Sequence, residues 1–199
     1  MMYPSILEKL IEGLSRLPGV GRRSAERMAL YILESSNEYA NSLSELILNA
    51  KKAVRPCKIC NNFSLNDICS ICKDQSRDKS MVCIVEHPKD IISIERSGIF
   101  KGTYYVLLGG ISPLDGRGPN DINLKSLENT LSQGIVKEVI IATDSDNEGQ
   151  ITAVFLKEKL AKYKVKLYRI GLGLPLGRQI EHTDSATIKE SFLEKKNFV

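Results

Sequence analysis

Two Cys-x-x-Cys pairs separated by eight residues constrain this chain more than any other feature. Cys57 and Cys60 form the first pair, and Cys69 and Cys72 form the second. Each pair places two thiolates on one turn, and two such turns complete a tetrahedral four-sulfur zinc site. The surrounding segment, residues 57–80, is short of large apolar side chains, so it needs a metal to order it. We therefore expect structural zinc, a single ion per chain, with no open position for catalysis.

Two other interpretations of these cysteines are disulfide pairing and redox chemistry. A cytoplasm keeps thiols reduced, which disfavours a pair of disulfides. A redox motif normally opens a helix after a strand and does not occur twice in a short polar segment. The fifth cysteine, Cys83, lies in an apolar run and is predicted to be a small core residue.

The composition indicates a folded protein without a membrane span. Of the 199 residues, 42% are hydrophobic, which excludes wholesale disorder. No stretch approaches the roughly 18 apolar residues that a membrane helix requires. The first residues, Met-Met-Tyr-Pro-Ser, lack the basic and apolar regions of a secretory signal. We expect a soluble, cytoplasmic protein.

The formal charge of +4 is too small to indicate nucleic-acid binding by itself. One local cluster is more informative, because four arginines lie within twelve residues and are opposed only by Glu26: Arg16, Arg22, Arg23 and Arg27. Such a cluster is typical of either a solvated face or a nucleic-acid contact, and charge alone leaves both open.

A tight turn precedes this cluster, between two helices predicted within residues 5–35. The turn reads Leu17-Pro18-Gly19-Val20-Gly21, and its glycines permit backbone conformations closed to other residues. Backbone N–H groups at the start of the second helix can then approach a phosphate. An ordinary helical corner is the alternative. With the arginines, the pattern favours a helix-hairpin-helix that binds DNA phosphates through Gly19, Gly21, Arg22, Arg23 and Arg27.

From Met81 onward, short apolar runs alternate with helical patterns, which indicates a mostly parallel sheet covered by helices. The runs predict strands at 81–85, 104–108, 139–142 and 165–170. Helices are predicted between them at 89–97, 123–133 and 148–163. One further helix is predicted before this region, at 42–54, and a last helix is predicted at 184–194.

An acidic motif, Asp144-Ser145-Asp146-Asn147-Glu148-Gly149, follows the third of these strands. Its carboxylates, joined by Glu86 at the end of the first strand, could hold a divalent cation. An EF-hand is excluded because the twelfth position of the loop is Phe155. Helix capping by Asp146 and Glu148 is the alternative, and spacing alone does not separate the two.

In this order, the motifs resemble those of the bacterial recombination mediator family RecR over essentially the whole chain. The resemblance rests on the hairpin at 17–29, the cysteines at 57–72, the strand Val82-Cys83-Ile84-Val85-Glu86, the Ser-Pro-Leu-Asp-Gly at 112–116, Glu148-Gly149 and the Gly-Leu-Pro-Leu-Gly at 173–177.

The resemblance implies a multidomain α+β fold. It implies a helix-hairpin-helix region at 1–56, a four-cysteine zinc finger at 57–72, an α/β Toprim domain at 80–175 and a C-terminal oligomerisation segment at 176–199.

The family's function implies a mediator rather than an enzyme. Such a protein binds single- and double-stranded DNA without sequence preference. It acts with RecO and RecF to load the recombinase RecA on gapped single-stranded DNA, as a ring-shaped dimer or tetramer. The alternative is a magnesium-dependent nuclease of Toprim type, because the acidic motif is closer to that of catalytic Toprim enzymes.

Two departures from the family pattern lead to further predictions. The run at 144–149 is commonly uncharged in the family, so we predict weak Mg²⁺ binding and partner docking at Glu86, Asp144 and Asp146, without turnover. Arg178 stands where a second glycine is usual in the family. We therefore do not carry over the family's backbone conformation or contacts at that position.

Overall fold

The computed structural model describes residues 3–171, 173–175, 177 and 179–195 and divides the chain into two compact units, residues 1–54 and 55–199. Arg178 therefore lies outside the described residues. Over the part of the chain that is described, no helix is long and apolar enough to cross a membrane.

The first unit consists of three helices, α1 (Ser5–Ser15), α2 (Arg22–Glu34) and α3 (Asn37–Ala53). Helices α1 and α2 pack through the buried side chains Leu7, Ile11, Ala25 and Ala29. The small alanines on α2 let the two helices approach closely, and both helices lie where the apolar spacing predicts them.

Helix α3 begins earlier than the predicted residue 42. Ser36 caps it, because its hydroxyl oxygen accepts a hydrogen bond from the Tyr39 N–H at 3.2 Å. The hydroxyl pairs with one of the backbone N–H groups that the first turn leaves unpaired. The helix therefore begins more than one turn before the start that the apolar pattern predicts.

The second unit starts with the zinc knuckle, defined here as residues 55–74. It contains a two-stranded antiparallel ribbon of β1 (Arg55–Pro56) and β2 (Phe63–Ser64), followed by the short helix α4 (Ser70–Lys73). The cysteine pairs lie at the two ends of this segment.

A four-stranded sheet forms the rest of the unit's centre. Its strands are β3 (Asp78–Val85), β4 (Gly102–Val106), β5 (Glu138–Ala142) and β6 (Lys166–Arg169), in the order β4-β3-β5-β6. All neighbouring pairs are parallel, as predicted. In this register Val85 lies opposite Val106 and Ala142, so the carboxyl ends of the three strands meet at one edge.

Helices cover both faces of the sheet, which explains why β3, β4 and β5 carry apolar residues on both sides, whereas the edge strand β6 is partly exposed. Helices α6 (Lys125–Ser132) and α7 (Asn147–Leu160) pack against the face that carries Val82 and Ile84. Helix α5 (Pro88–Ser97) packs against the opposite face, where Cys83 is buried among apolar neighbours as predicted. The last helix, α8 (Ser185–Leu193), is capped by Asp184, whose carboxylate accepts the Thr187 N–H at 2.9 Å.

Candidate DNA-binding turn, zinc centre and acidic loop

The turn between α1 and α2 uses its two glycines differently. Gly19 has φ = +75°, a conformation that favours glycine, whereas Gly21 has φ = −76°, which any residue can adopt. The Gly21 carbonyl accepts the Ala25 N–H at 3.0 Å and so starts α2. The first N–H groups of α2 have no partner within the helix and point out of its N-terminus.

The arginines on α2 also differ from one another. Arg22 donates a hydrogen bond to the Glu8 carboxylate at 2.7 Å, which neutralises its charge locally. Arg23 and Arg27 are exposed, lie four residues apart on one face of the helix, and form no ion pair with any described residue. Glu26 accepts a hydrogen bond from the Tyr3 hydroxyl at 2.7 Å. Arg23 and Arg27 are therefore free cations on α2, and Arg16 at the end of α1 is a further exposed arginine without an ion pair to any described residue.

The four cysteines converge as their spacing predicts. The sulfur atoms of Cys57, Cys60, Cys69 and Cys72 all lie within 4.8 Å of one another. The Cys60 and Cys69 sulfurs are 3.6 Å apart. A tetrahedral site with zinc–sulfur bonds of about 2.3 Å requires sulfurs roughly 3.8 Å apart. The donor set and its spacing therefore fit a single zinc ion held entirely by protein thiolates.

Local hydrogen bonds favour a thiolate at Cys57. Burial raises the pKa of the Cys57 thiol, but backbone N–H groups of Cys69, Cys60 and Ile59 outweigh it and lower the pKa to about 7. The Cys69 N–H lies 3.3 Å from the Cys57 sulfur. Burial raises the pKa of Cys69 to about 11. Zinc binding would therefore displace protons from the knuckle, which ties metal affinity to pH.

The knuckle is also attached to the edge of the sheet. Strand β4 is an edge strand, and its Val106 N–H donates to the Cys60 carbonyl at 2.8 Å. The Asn61 amide donates in turn to the Val106 carbonyl at 3.0 Å. Asn61 adopts φ = +61°, a conformation that asparagine tolerates better than most residues. The zinc ligands and the sheet therefore form one connected structure, a feature that sequence reasoning did not find.

In the acidic motif, the structure confirms capping by Asp146. Its carboxylate accepts the Gly149 N–H at 2.8 Å and begins α7. Glu148 instead reaches the Ser112 hydroxyl at 2.7 Å, and that hydroxyl also lies 3.0 Å from an Asp115 carboxylate oxygen. The motifs at 112–116 and 148–149, distant in sequence, are thus linked in the fold.

Glu86 lies beneath this loop and is 6% exposed. Its carboxylate accepts the Asp144 N–H at 3.1 Å. Burial raises the pKa of Glu86, the hydrogen bond from Asp144 opposes the rise, and the charges of Asp144 and Asp146 add to it. Arg169 at the end of β6 donates to the Asp144 carbonyl at 3.3 Å, so it brings a cation to the loop. Sequence reasoning missed Arg169, because only the strand order places it there.

The structure brings Glu86, Asp144 and Asp146 into one neighbourhood but not into a finished metal site. Among the described residues, the four cysteines are the only group of three or more potential ligands placed so that they could hold one metal ion. Magnesium binding by the three carboxylates stays a prediction.

The helical hairpin, the four-thiolate centre and the parallel sheet with an acidic loop define a zinc-containing DNA-binding protein. Comparison with known families agrees segment by segment. Residues 7–51 match the RecR helix-hairpin-helix, residues 54–74 the RecR four-cysteine zinc finger domain, and residues 80–171 the Toprim domain.

Full-length relatives extend the agreement to the whole chain. The chain is 44% identical over 191 residues to the recombination protein RecR of Leifsonia xyli subsp. xyli, covering 96% of each chain. It is 43% identical over 191 residues to the recombination protein RecR of Cutibacterium acnes, covering 96% of this chain and 95% of that one. The recombination protein RecR of Bdellovibrio bacteriovorus is 43% identical over 194 residues, with 94% and 95% covered. The chain belongs to the RecR family of recombination proteins.

Proposed function

We propose that this protein is a non-catalytic mediator of recombinational DNA repair that acts with RecO and RecF in the cytoplasm to load RecA on gapped single-stranded DNA. The observation that supports this best is the pair of unpaired arginines, Arg23 and Arg27, beside the open N-terminus of α2. Such a surface binds phosphates and reads no bases, so it suits single- and double-stranded DNA of any sequence.

The acidic loop supports a non-enzymatic role. Asp146 is engaged as a helix cap, and Glu86 is buried under the Asp144 backbone. Metal-assisted cleavage of a phosphodiester needs a firmly held metal ion and a positioned nucleophile. The loop instead offers the exposed carboxylates of Asp144 and Asp146, which suit docking of a basic surface; on family grounds that surface belongs to RecO. Weak Mg²⁺ binding here is part of the proposal.

A homo-oligomer, as a ring-shaped dimer or tetramer, is part of the same proposal. Helix α3 has no buried residue, and its Leu46, Ile47 and Leu48 side chains are 64%, 62% and 67% exposed. Large apolar side chains exposed together on one helix are typical of protein–protein interfaces. Several copies of a weak phosphate grip in one assembly would raise the total affinity for DNA.

Reconstituted loading tests the proposal. RecA assembly would be followed on gapped DNA coated with single-strand-binding protein, in the presence of RecO and RecF, with wild-type protein and with R23A/R27A. We expect the wild type to accelerate assembly and the double variant to lose most of the acceleration. The variant K157A/K164A removes two exposed lysines far along the chain from the turn and serves as the control. Equal acceleration by wild type and R23A/R27A would refute the proposed role of the turn.

The same reactions distinguish a mediator from a nuclease. The DNA would be end-labelled, and Mg²⁺ would be present throughout. We expect no cleavage by the wild type. Cleavage that disappears in D144N/D146N would replace the mediator by a Toprim-type nuclease, and asparagine keeps a side-chain oxygen that can cap α7.

A further inference from the structure

A groove of about 920 Å³ runs between the zinc knuckle and helix α5. Its apolar surface comes from Phe63 on the knuckle, Ile71 on α4 and Ile92 on α5. The Phe63 and Ile92 side chains are 59% and 55% exposed. An exposed aromatic ring opposite an exposed isoleucine is the kind of surface that partner proteins cover.

The exposed face of α5 carries a regular pattern of charge along this groove. Lys89, Ile92 and Arg96 occupy positions i, i+3 and i+7, so they lie on one face of the helix. The two basic residues are two turns apart, about 10.5 Å along the helix axis. Both are exposed, and neither forms an ion pair with another described residue.

The acidic groups near the groove are already engaged. The Glu95 carboxylate accepts hydrogen bonds from the Arg77 guanidinium, and it also accepts the Tyr104 hydroxyl at 2.5 Å. The Asp90 carboxylate accepts the His87 N–H at 2.7 Å in the first turn of α5. Asp90 does not line the groove, and Glu95 is paired with Arg77, so Lys89 and Arg96 give the groove a positively charged rim around an apolar floor.

We propose that this groove docks an acidic amphipathic helix of a partner protein. Apolar side chains of that helix would cover Phe63 and Ile92, and two carboxylates seven residues apart would pair with Lys89 and Arg96. The two-turn spacing matches carboxylates at i and i+7 on a second helix better than it matches an extended strand. Phosphates of DNA would gain nothing from the apolar floor. The inference rests on the groove alone and is independent of the phosphate grip on α2.

Peptide binding to the full-length, zinc-loaded protein tests this inference. The probe is a fluorescein-labelled helical peptide of about fifteen residues, with glutamates at i and i+7 and leucines at i+3 and i+4. A matched peptide carries lysines in place of the glutamates. By fluorescence anisotropy, we expect the acidic peptide to bind about tenfold or more tightly than the basic one.

Charge reversal of the groove provides the decisive variant. K89E/R96E should lose the acidic peptide and gain preference for the basic one. K157E/K164E makes the same charge change at exposed residues outside the groove and should keep the wild-type preference. Zinc content and thermal unfolding would verify the fold, and I92S, which changes only the apolar floor, should weaken both peptides.

Four outcomes would overturn the inference. One is the absence of any preference of the wild type for the acidic peptide, and another is equal behaviour of the two charge-reversed variants. A loss of duplex DNA binding in K89E/R96E as large as in R23A/R27A would assign the groove to nucleic acid. A changed solution mass of K89E/R96E or I92S would assign it to a second copy of this chain.

Discussion

Gly149 allows the closest backbone approach in the acidic loop. A Cβ atom at this position would lie 2.0 Å from the Asp144 carbonyl oxygen and 2.6 Å from its carbon, so only glycine fits without moving backbone. We expect Gly149→Ala to destabilise the protein by about 1–3 kcal/mol, as overpacking does in cores. Thermal unfolding measures the change.

Gly13 provides the matched control for Gly149. It lies inside α1, and a Cβ atom there would meet nothing within 4 Å. Gly13→Ala should be neutral or stabilise the protein by up to about 1 kcal/mol, because alanine is the better helix former. A Gly149→Ala variant as stable as the wild type would show that the loop backbone can move freely.

Glu86 should make stability depend on pH. Its folded-state pKa is raised above the ordinary 4.5, chiefly by burial. The stability that neutral Glu86 contributes is therefore complete below about pH 4.5 and is lost as pH rises through the raised pKa. Glu86→Gln does not titrate and keeps an oxygen that can accept the Asp144 N–H.

The comparison of wild type with Glu86→Gln isolates this effect. In buffer without divalent cations, we expect the stability difference in favour of the glutamine variant to grow from about pH 4.5 toward neutrality. Melting temperatures of both proteins over this range measure it. A difference that shrinks as pH rises would mean that the charged carboxylate is stabilised in the fold.

At the residue scale, the sequence predicts the metal ligands better than it predicts which side chains form ion pairs and hydrogen bonds with each other. The four cysteines could be identified as zinc ligands from local spacing, since one turn brings the two cysteines of each pair together. The ion pair of Arg22 with Glu8 and the contact of Arg169 with Asp144 join residues 14 and 25 positions apart, so they depend on packing that no local pattern contains.

Among the elements, the zinc knuckle should protect the edge of the sheet. The Val106 N–H donates to the Cys60 carbonyl, and Cys60 is a zinc ligand in the proposed centre. Removing zinc with a chelator, or by Cys60→Ser, should therefore release this bond. We expect faster hydrogen exchange at the Val106 amide together with a loss of the order of 10 kcal/mol of metal-linked folding free energy in the knuckle.

Cys83 serves as the control for the zinc ligands. It is buried in the core on the sheet and lies outside the four-sulfur cluster. Cys83→Ala should retain zinc and keep the Val106 amide protected. Metal analysis and exchange on the same samples test both statements, and unchanged Val106 exchange after zinc removal would show that the sheet edge does not depend on the knuckle.

The elements themselves were largely predictable, because each carries its own periodicity. All four strands of the sheet and the helices between them lie close to the predicted residues, and the parallel orientation of the strands follows from the alternation of strand and helix. The predicted start of α3 was wrong, because the capping residue Ser36, and not the apolar pattern, determines where the helix begins. The attachment of the knuckle to β4 could not be predicted, since Asn61 and Val106 are 45 residues apart.

For the whole molecule, the exposed apolar residues of α3 should control assembly. We expect L46S/I47S/L48S to lower the solution mass measured by light scattering, since serine removes the apolar surface that association would bury. Duplex DNA binding should weaken at the same time, because fewer subunits would contribute phosphate contacts to one assembly. The three side chains are exposed, so the variant should fold, and an unchanged mass would place the interface elsewhere.

The salt dependence of duplex DNA binding tests the central claim, the phosphate grip of Arg23 and Arg27, most directly. Each lost phosphate contact reduces the slope of log K against log salt by about one unit. We therefore predict that R23A/R27A shallows the slope by about two units or more, equally on unrelated DNA sequences. R22A should change it less, because Arg22 is paired with Glu8, and K157A/K164A should leave it unchanged. A slope that R23A/R27A does not alter, or a loss that depends on base sequence, would contradict the claim.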